Sequence, residues 1–97
     1  MLWWLVGIAF AEILLLSPDL SKDEAAELSE QCAALFKQQK VNDVEIRNSR
    51  FFVSGKGYQY RVVVAGLDTP EMAKKWHEEL QEINPNFFLQ IDGKDAV

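Results

Sequence analysis

The chain has 97 residues, and its 10 Lys and Arg against 15 Asp and Glu give a net charge of −5. That length holds one domain at most and sits near the lower limit for a self-sufficient core. The acidic balance argues against a general phosphate-backbone binder, whose affinity comes from clustered Lys and Arg. The single cysteine, Cys32, excludes an intrachain disulfide and any multi-cysteine metal site.

Residues 2–16 form an almost unbroken apolar run, interrupted by one charge at Glu12 and closed by Ser17-Pro18-Asp19. Three readings compete. Ala9-Phe10-Ala11 has the A-x-A form of a signal-peptidase site, but no Lys or Arg precedes it and the apolar stretch ahead of it is short. A buried strand fits a short apolar run bounded by turn residues, although this run is about twice the usual strand length and rich in Leu and Trp. A membrane helix fits the composition, with Trp3-Trp4 as an interfacial pair. Fifteen residues would nevertheless span only roughly 22 Å of a ~30 Å hydrocarbon core. The sequence therefore divides into residues 1–18, an anchor or a first strand, and residues 19–97, a small α/β module.

In that module, Ser21-Lys22-Asp23-Glu24 has the spacing of a capping box, and Ala25, Leu28, Cys32, Leu35 and Phe36 then recur at helical spacing over residues 22–39. Acidic residues crowd the first turn of this helix and Lys37 and Lys40 lie near its other end, as the helix dipole favours. Val41-Asn42-Asp43 reads as a turn. Val44 and Ile46 then alternate with Glu45 and Arg47, and Phe51-Phe52-Val53 resumes the strand after a polar interruption. Ser54-Gly55-Lys56-Gly57 supplies a hairpin loop. Tyr58-Gln59-Tyr60-Arg61-Val62-Val63-Val64-Ala65 is the clearest strand, with Tyr58, Tyr60, Val62 and Val64 on one face and Gln59 and Arg61 on the other. Thr69 and Pro70 open a second helix as cap and first helical residue, and Met72, Ala73, Trp76, Leu80 and Ile83 form its apolar stripe. Asn84-Pro85-Asn86 ends it, and Phe87-Phe88-Leu89-Gln90-Ile91 is the last predicted strand.

No Gly-rich phosphate loop, nucleophile elbow, histidine pair or metal-ligand cluster occurs. His77, the single histidine, reads as a solvated helix residue, Cys32 as a small core hydrophobe, and the helix carboxylates as solvated surface. The expectation is a binding protein with no enzymatic activity, no cofactor and no metal.

Residues 57–80 carry a resemblance, in Tyr60-Arg61-Val62-Val63-Val64-Ala65-Gly66-Leu67, Asp68-Thr69 and the helix with Ala73, Trp76 and Leu80. This stretch resembles the second half of a SPOR domain, a bacterial envelope module. The resemblance implies a βαββαβ fold, attachment to the inner membrane with the soluble part in the periplasm, and binding to peptidoglycan glycan strands that lack stem peptides. The first half matches more loosely, through Asp23-Glu24-Ala25-Ala26-Glu27-Leu28. Lys56-Gly57-Tyr58-Gln59-Tyr60 is similar to the start of the RNP1 motif of RNA-recognition domains. Gln59, Arg61 and Val63 depart from that motif, and with the acidic charge they argue against nucleic acid. The strand-to-helix passage Leu16-Ser17-Pro18-Asp19-Leu20-Ser21 is similar in style to ferredoxin-like assembly modules, the ring-forming secretion proteins and one small-subunit ribosomal protein, and the alternative to the inner membrane is a cytoplasmic, soluble chain.

The fold expected is α+β, a ferredoxin-like or SPOR-like βαββαβ, or αββαβ behind an anchor, with two helices on an antiparallel sheet. The helices should cover the face of Tyr58, Tyr60, Val62 and Val64. Gln59 and Arg61, with Arg47 and Gln90 on neighbouring strands, then line an open face whose guanidinium and amide donors suit sugar hydroxyls or a partner's carboxylates. The partners expected are a peptidoglycan glycan or a protein, a membrane, and a second copy through the sheet.

Overall fold

A computed structural model of the chain describes residues 12–96. Ile13–Leu16 is a strand, β1, so for these four residues the membrane-helix reading is corrected to the first-strand one, and residues 2–11 of the run lie outside the described residues. The reason is packing: β1 is hydrogen-bonded on both sides, and Ile13 and Leu15 are buried against the helical layer while Leu16 is buried on the opposite face of the sheet. No helix among the described residues is long and apolar enough to cross a membrane.

After β1 come α1 (Lys22–Gln38), β2 (Glu45–Val53), β3 (Gly57–Ala65), α2 (Pro70–Gln81), β4 (Phe88–Ile91) and β5 (Lys94–Ala96). The strands lie in the order β2-β3-β1-β4-β5, and every neighbouring pair is antiparallel. The first four strands and two helices thus make a ferredoxin-like βαββαβ arrangement, to which β5 is added at one edge. Each crossover returns the chain past one strand, so β1 and β3 end up central although they are far apart in sequence.

The helix ends follow their caps. Ser21 Oγ accepts from the Glu24 amide at 3.2 Å while a Glu24 carboxylate oxygen accepts from the Ser21 amide at 3.0 Å, and Thr69 Oγ1 accepts from the Met72 amide at 3.1 Å. Both amphipathic stripes face the sheet. Ala25, Leu28, Cys32 and Phe36 of α1 and Ala73, Trp76 and Leu80 of α2 meet Leu15, Val62 and Val64 in one core. Phe36 and Trp76 close it where the helices meet, edge to face with ring centroids 4.7 Å apart. Gly66 ends β3 at φ 85°, where a Cβ would collide with the Asp43 carbonyl, so glycine lets the start of β2 lie against the end of β3.

Two details depart from the sequence expectation. The polar stretch Asn48-Ser49-Arg50 does not interrupt β2, which is nine residues long and fully paired with β3. A fifth strand follows Asp92-Gly93, whose φ values of 53° and 78° suit a two-residue type I′ hairpin.

Candidate functional site

Strand alternation and register decide what the open side of the sheet displays. Ile13, Leu15, Val62, Val64, Leu89 and Ile91 pack into the helix-side core. The intervening residues face away. Leu16 lies opposite Val63 and Phe88, Ser49 opposite Arg61, Phe51 opposite Gln59, Arg47 opposite Val63, and Leu14 opposite Gln90. All four residues expected on the open face, Gln59, Arg61, Arg47 and Gln90, are therefore there.

Arg61 is the centre of this face. Its guanidinium carbon lies 5.4 Å from the centroid of the Phe51 ring on β2 and 5.4 Å from that of Phe88 on β4, so two aromatic rings flank one cation. Its Nη2 donates to Asp19 Oδ1 at 2.5 Å, from the loop between β1 and α1. With side chains 31% and 47% exposed, this ion pair contributes about 0–1 kcal/mol, so its main effect is to orient the guanidinium rather than to hold the fold. The Arg61 Nε is buried and has no acceptor among the described residues.

The other donors are placed differently. Gln59 turns its amide back to the Tyr58 carbonyl at 3.2 Å, and Arg47 pairs along its own strand with Glu45 at 3.3 Å. Both contacts are exposed and exchangeable. Gln90 sits between Leu14 of β1 and Asp95 of β5 in register. Glu12, Leu14, Arg47, Asn48, Ser49 and Val63 line a depression of about 300 Å³, and Ser49 is the register partner of Arg61. The face thus combines planar cations and amides with two aromatic rings.

The tyrosines of the RNP1-like string have the opposite parity. Tyr60 packs against the helix-side core, and Tyr58, 57% exposed, lies on the same side beyond the reach of the helices. An RNA-recognition sheet stacks bases on open-face aromatics, which this register does not supply from Tyr58 and Tyr60. His77 is also not simply solvated: its Nε2 lies 2.8 Å from the Phe87 carbonyl and ties α2 to the start of β4. Cys32 is buried, as its neighbours implied, and desolvation pushes its thiol up to about 11. No group of three or more metal-ligating side chains is gathered among the described residues.

Sequence reading missed Phe51, Phe88 and Asp19. Phe51 and Phe88 lie in double-Phe pairs whose parity cannot be assigned before the strand register is known. Asp19 meets Arg61 across 42 positions, a contact with no local signal.

No protein-family model matches the chain, and no curated protein matches it. Among solved structures, the chain is similar to a de novo designed protein with a ferredoxin fold, studied by solution NMR, at 18% identity. The match covers 90% of this chain and 84% of that one, with a TM-score of 0.31.

Proposed function

We propose that the chain is a non-catalytic binding module whose open sheet face takes an extended glycan, of the kind peptidoglycan exposes where its stem peptides have been removed. The observation that carries this reading is the Arg61 guanidinium set between the Phe51 and Phe88 rings. Sugar rings present C–H faces that pack on aromatic rings, and their hydroxyls accept from guanidinium and amide groups. A glycan stripped of its peptides also bares carboxylates, which compete with Asp19 for the planar fork of Arg61. The SPOR resemblance of residues 57–80 points to the same ligand class and to the cell envelope, at the inner membrane facing the periplasm.

Co-sedimentation with peptidoglycan before and after amidase treatment tests the proposal. The chain should pellet with the denuded strands and far less with the intact polymer. Arg61→Lys keeps the charge but loses the planar fork, and should weaken pelleting by about tenfold while leaving stability within about 1 kcal/mol. Phe51→Ala should weaken it as well, since it removes one ring from the platform. Failure of the parent protein to pellet with denuded strands would overturn the ligand assignment.

A further inference from the structure

The free edge of β2 has a definite hydrogen-bonding pattern. Tyr60 exchanges both backbone hydrogen bonds with Leu20, and the Val62 carbonyl accepts from the Ser17 amide. The even-numbered residues of β3 therefore turn their amides and carbonyls toward β1, and its odd-numbered residues serve β2. Through the register that places Arg61 opposite Ser49 and Val63 opposite Arg47, the odd-numbered residues of β2 are the bonded ones. Ile46, Asn48, Arg50 and Phe52 are left with their N–H and C=O groups directed out of the sheet, where β2 has no neighbour among the described strands.

We propose that this edge is covered by a second copy of the chain, with β2 antiparallel to β2 about a twofold axis at Ser49. Only outward-directed residues can exchange bonds across the edge, so an even-numbered residue must face an even-numbered one. That condition keeps the helices of both copies on the same side of the joined sheet. Among the registers it allows, centring on Arg50 would place two guanidinium groups directly opposite, and centring on Asn48 would leave Phe52 unpaired. Centring on Ser49 pairs Ile46 with Phe52 and Asn48 with Arg50 twice each, using all the outward groups in about eight hydrogen bonds.

Side chains support the same register. Phe52 is 66% exposed, among the most exposed large apolar residues of the described chain, and Ile46 is only half-buried, so each would cover the other. Asn48 and Ile46 line a groove of about 330 Å³ against α1, together with Ser29, Glu30 and Ala33. Arg50 of the second copy, facing Asn48, would enter that groove beside Glu30, and Phe52 would enter it beside Ala33. Arg50 would give up an exposed contact with its own Tyr58 ring, 4.5 Å away, for a charge partner in a more enclosed place. On the open side, Arg47 would lie opposite Phe51 of the second copy.

The joined sheet would carry two Arg61 platforms on one continuous face. Because Arg61 is the register partner of Ser49, the two guanidiniums would be separated by three strand spacings, about 14 Å. A long ligand could then engage both, although the dimer itself does not depend on what the ligand is.

Sedimentation velocity on the full chain, from micromolar to millimolar, should show a concentration-dependent dimer. Arg50→Glu should raise its dissociation constant by about tenfold or more, and combining it with Glu30→Arg should restore association. Ser49→Cys should give a disulfide-linked dimer when its two thiols are oxidised by copper and oxygen, because the axis brings those positions within bridging distance. Arg47→Cys alone should link poorly, but a mixture of the Arg47→Cys and Phe51→Cys proteins should link across the axis. A parent protein that stays monomeric throughout, or a dimer indifferent to Arg50→Glu and unlinked at Ser49→Cys, would overturn the proposal. Circular dichroism melts of each variant separate loss of association from loss of fold.

Discussion

Between Leu16 and Leu20 the chain departs from regular pairing with β3, and the Ser17 hydroxyl accepts from the Val62 amide at 2.8 Å in place of a backbone carbonyl. The same hydroxyl donates to the Pro18 carbonyl at 2.9 Å, and Ser17 is 0% exposed. Ser17→Ala strands a buried N–H with no acceptor, which should cost about 2 kcal/mol, read as a shift of the urea midpoint without a change in slope. Ser17 followed by Pro reads locally as a turn, and its partner 45 positions away leaves no trace in the surrounding sequence. Cys32 has a pH-dependent role. Its folded thiol is held protonated to about pH 11 by desolvation, above its value in the unfolded chain. The unfolded chain releases this proton first as pH rises, so the Cys32 contribution is complete below about pH 8.5 and is lost as pH climbs toward 11. Urea midpoints taken from pH 7 to 10 should fall more for the parent than for Cys32→Ala, because the variant removes this titration while lysines and tyrosines remain in both.

The two helices were the most legible elements because their ends are written in a few adjacent residues. Thr69 caps α2 and Pro70 occupies its first turn without sacrificing a useful N–H. Since the stripe of α2 supplies Trp76 and Leu80 to the shared core, Thr69→Ala should lower global stability by about 1 kcal/mol, measured by chemical denaturation, rather than merely fray one helix. The Ser21 cap offers an acid-side counterpart. Hydrogen bonds from the Ser21 amide and hydroxyl hold the Glu24 carboxyl below its usual range, so this stabilisation is present above the unfolded carboxyl range and disappears as acid protonates Glu24. Strands were less legible. Asn48, Ser49 and Arg50 are exposed on an edge strand, where apolar alternation is not required, so the continuous β2 looked broken. The hairpin into β5 had a local sign, Asp92-Gly93, but too few residues beyond it to show a strand period. The open face was readable from the alternation of β3, whereas its two aromatic rings depended on register between separate strands.

At the scale of the molecule, β1 is short but holds the sheet together. It is hydrogen-bonded to β3 on one side and β4 on the other, so among the described strands it is the one that joins the β2-β3 hairpin to the β4-β5 hairpin. Its Leu15 is completely buried, and Ile13 and Leu16 are nearly so. Glu12 extends the link: its carbonyl accepts from the Asp92 amide at 2.8 Å while its amide donates to an Asp92 carboxylate oxygen at 3.0 Å. A chain beginning at Asp19 loses this central strand, and losing even one buried leucine costs about 2–5 kcal/mol against a total stability of about 5–15. It should therefore have no cooperative thermal transition and should expose the apolar faces of α1 and α2 to a hydrophobic dye. A chain beginning at Ala11 keeps β1, the Glu12 contacts with Asp92 and the Ser17 hydroxyl, and should retain a cooperative transition. Comparing the two by thermal circular dichroism separates the strand from the residues before it. If the Asp19 form melted cooperatively and remained monomeric, β1 would not be the central strand that its pairing makes it.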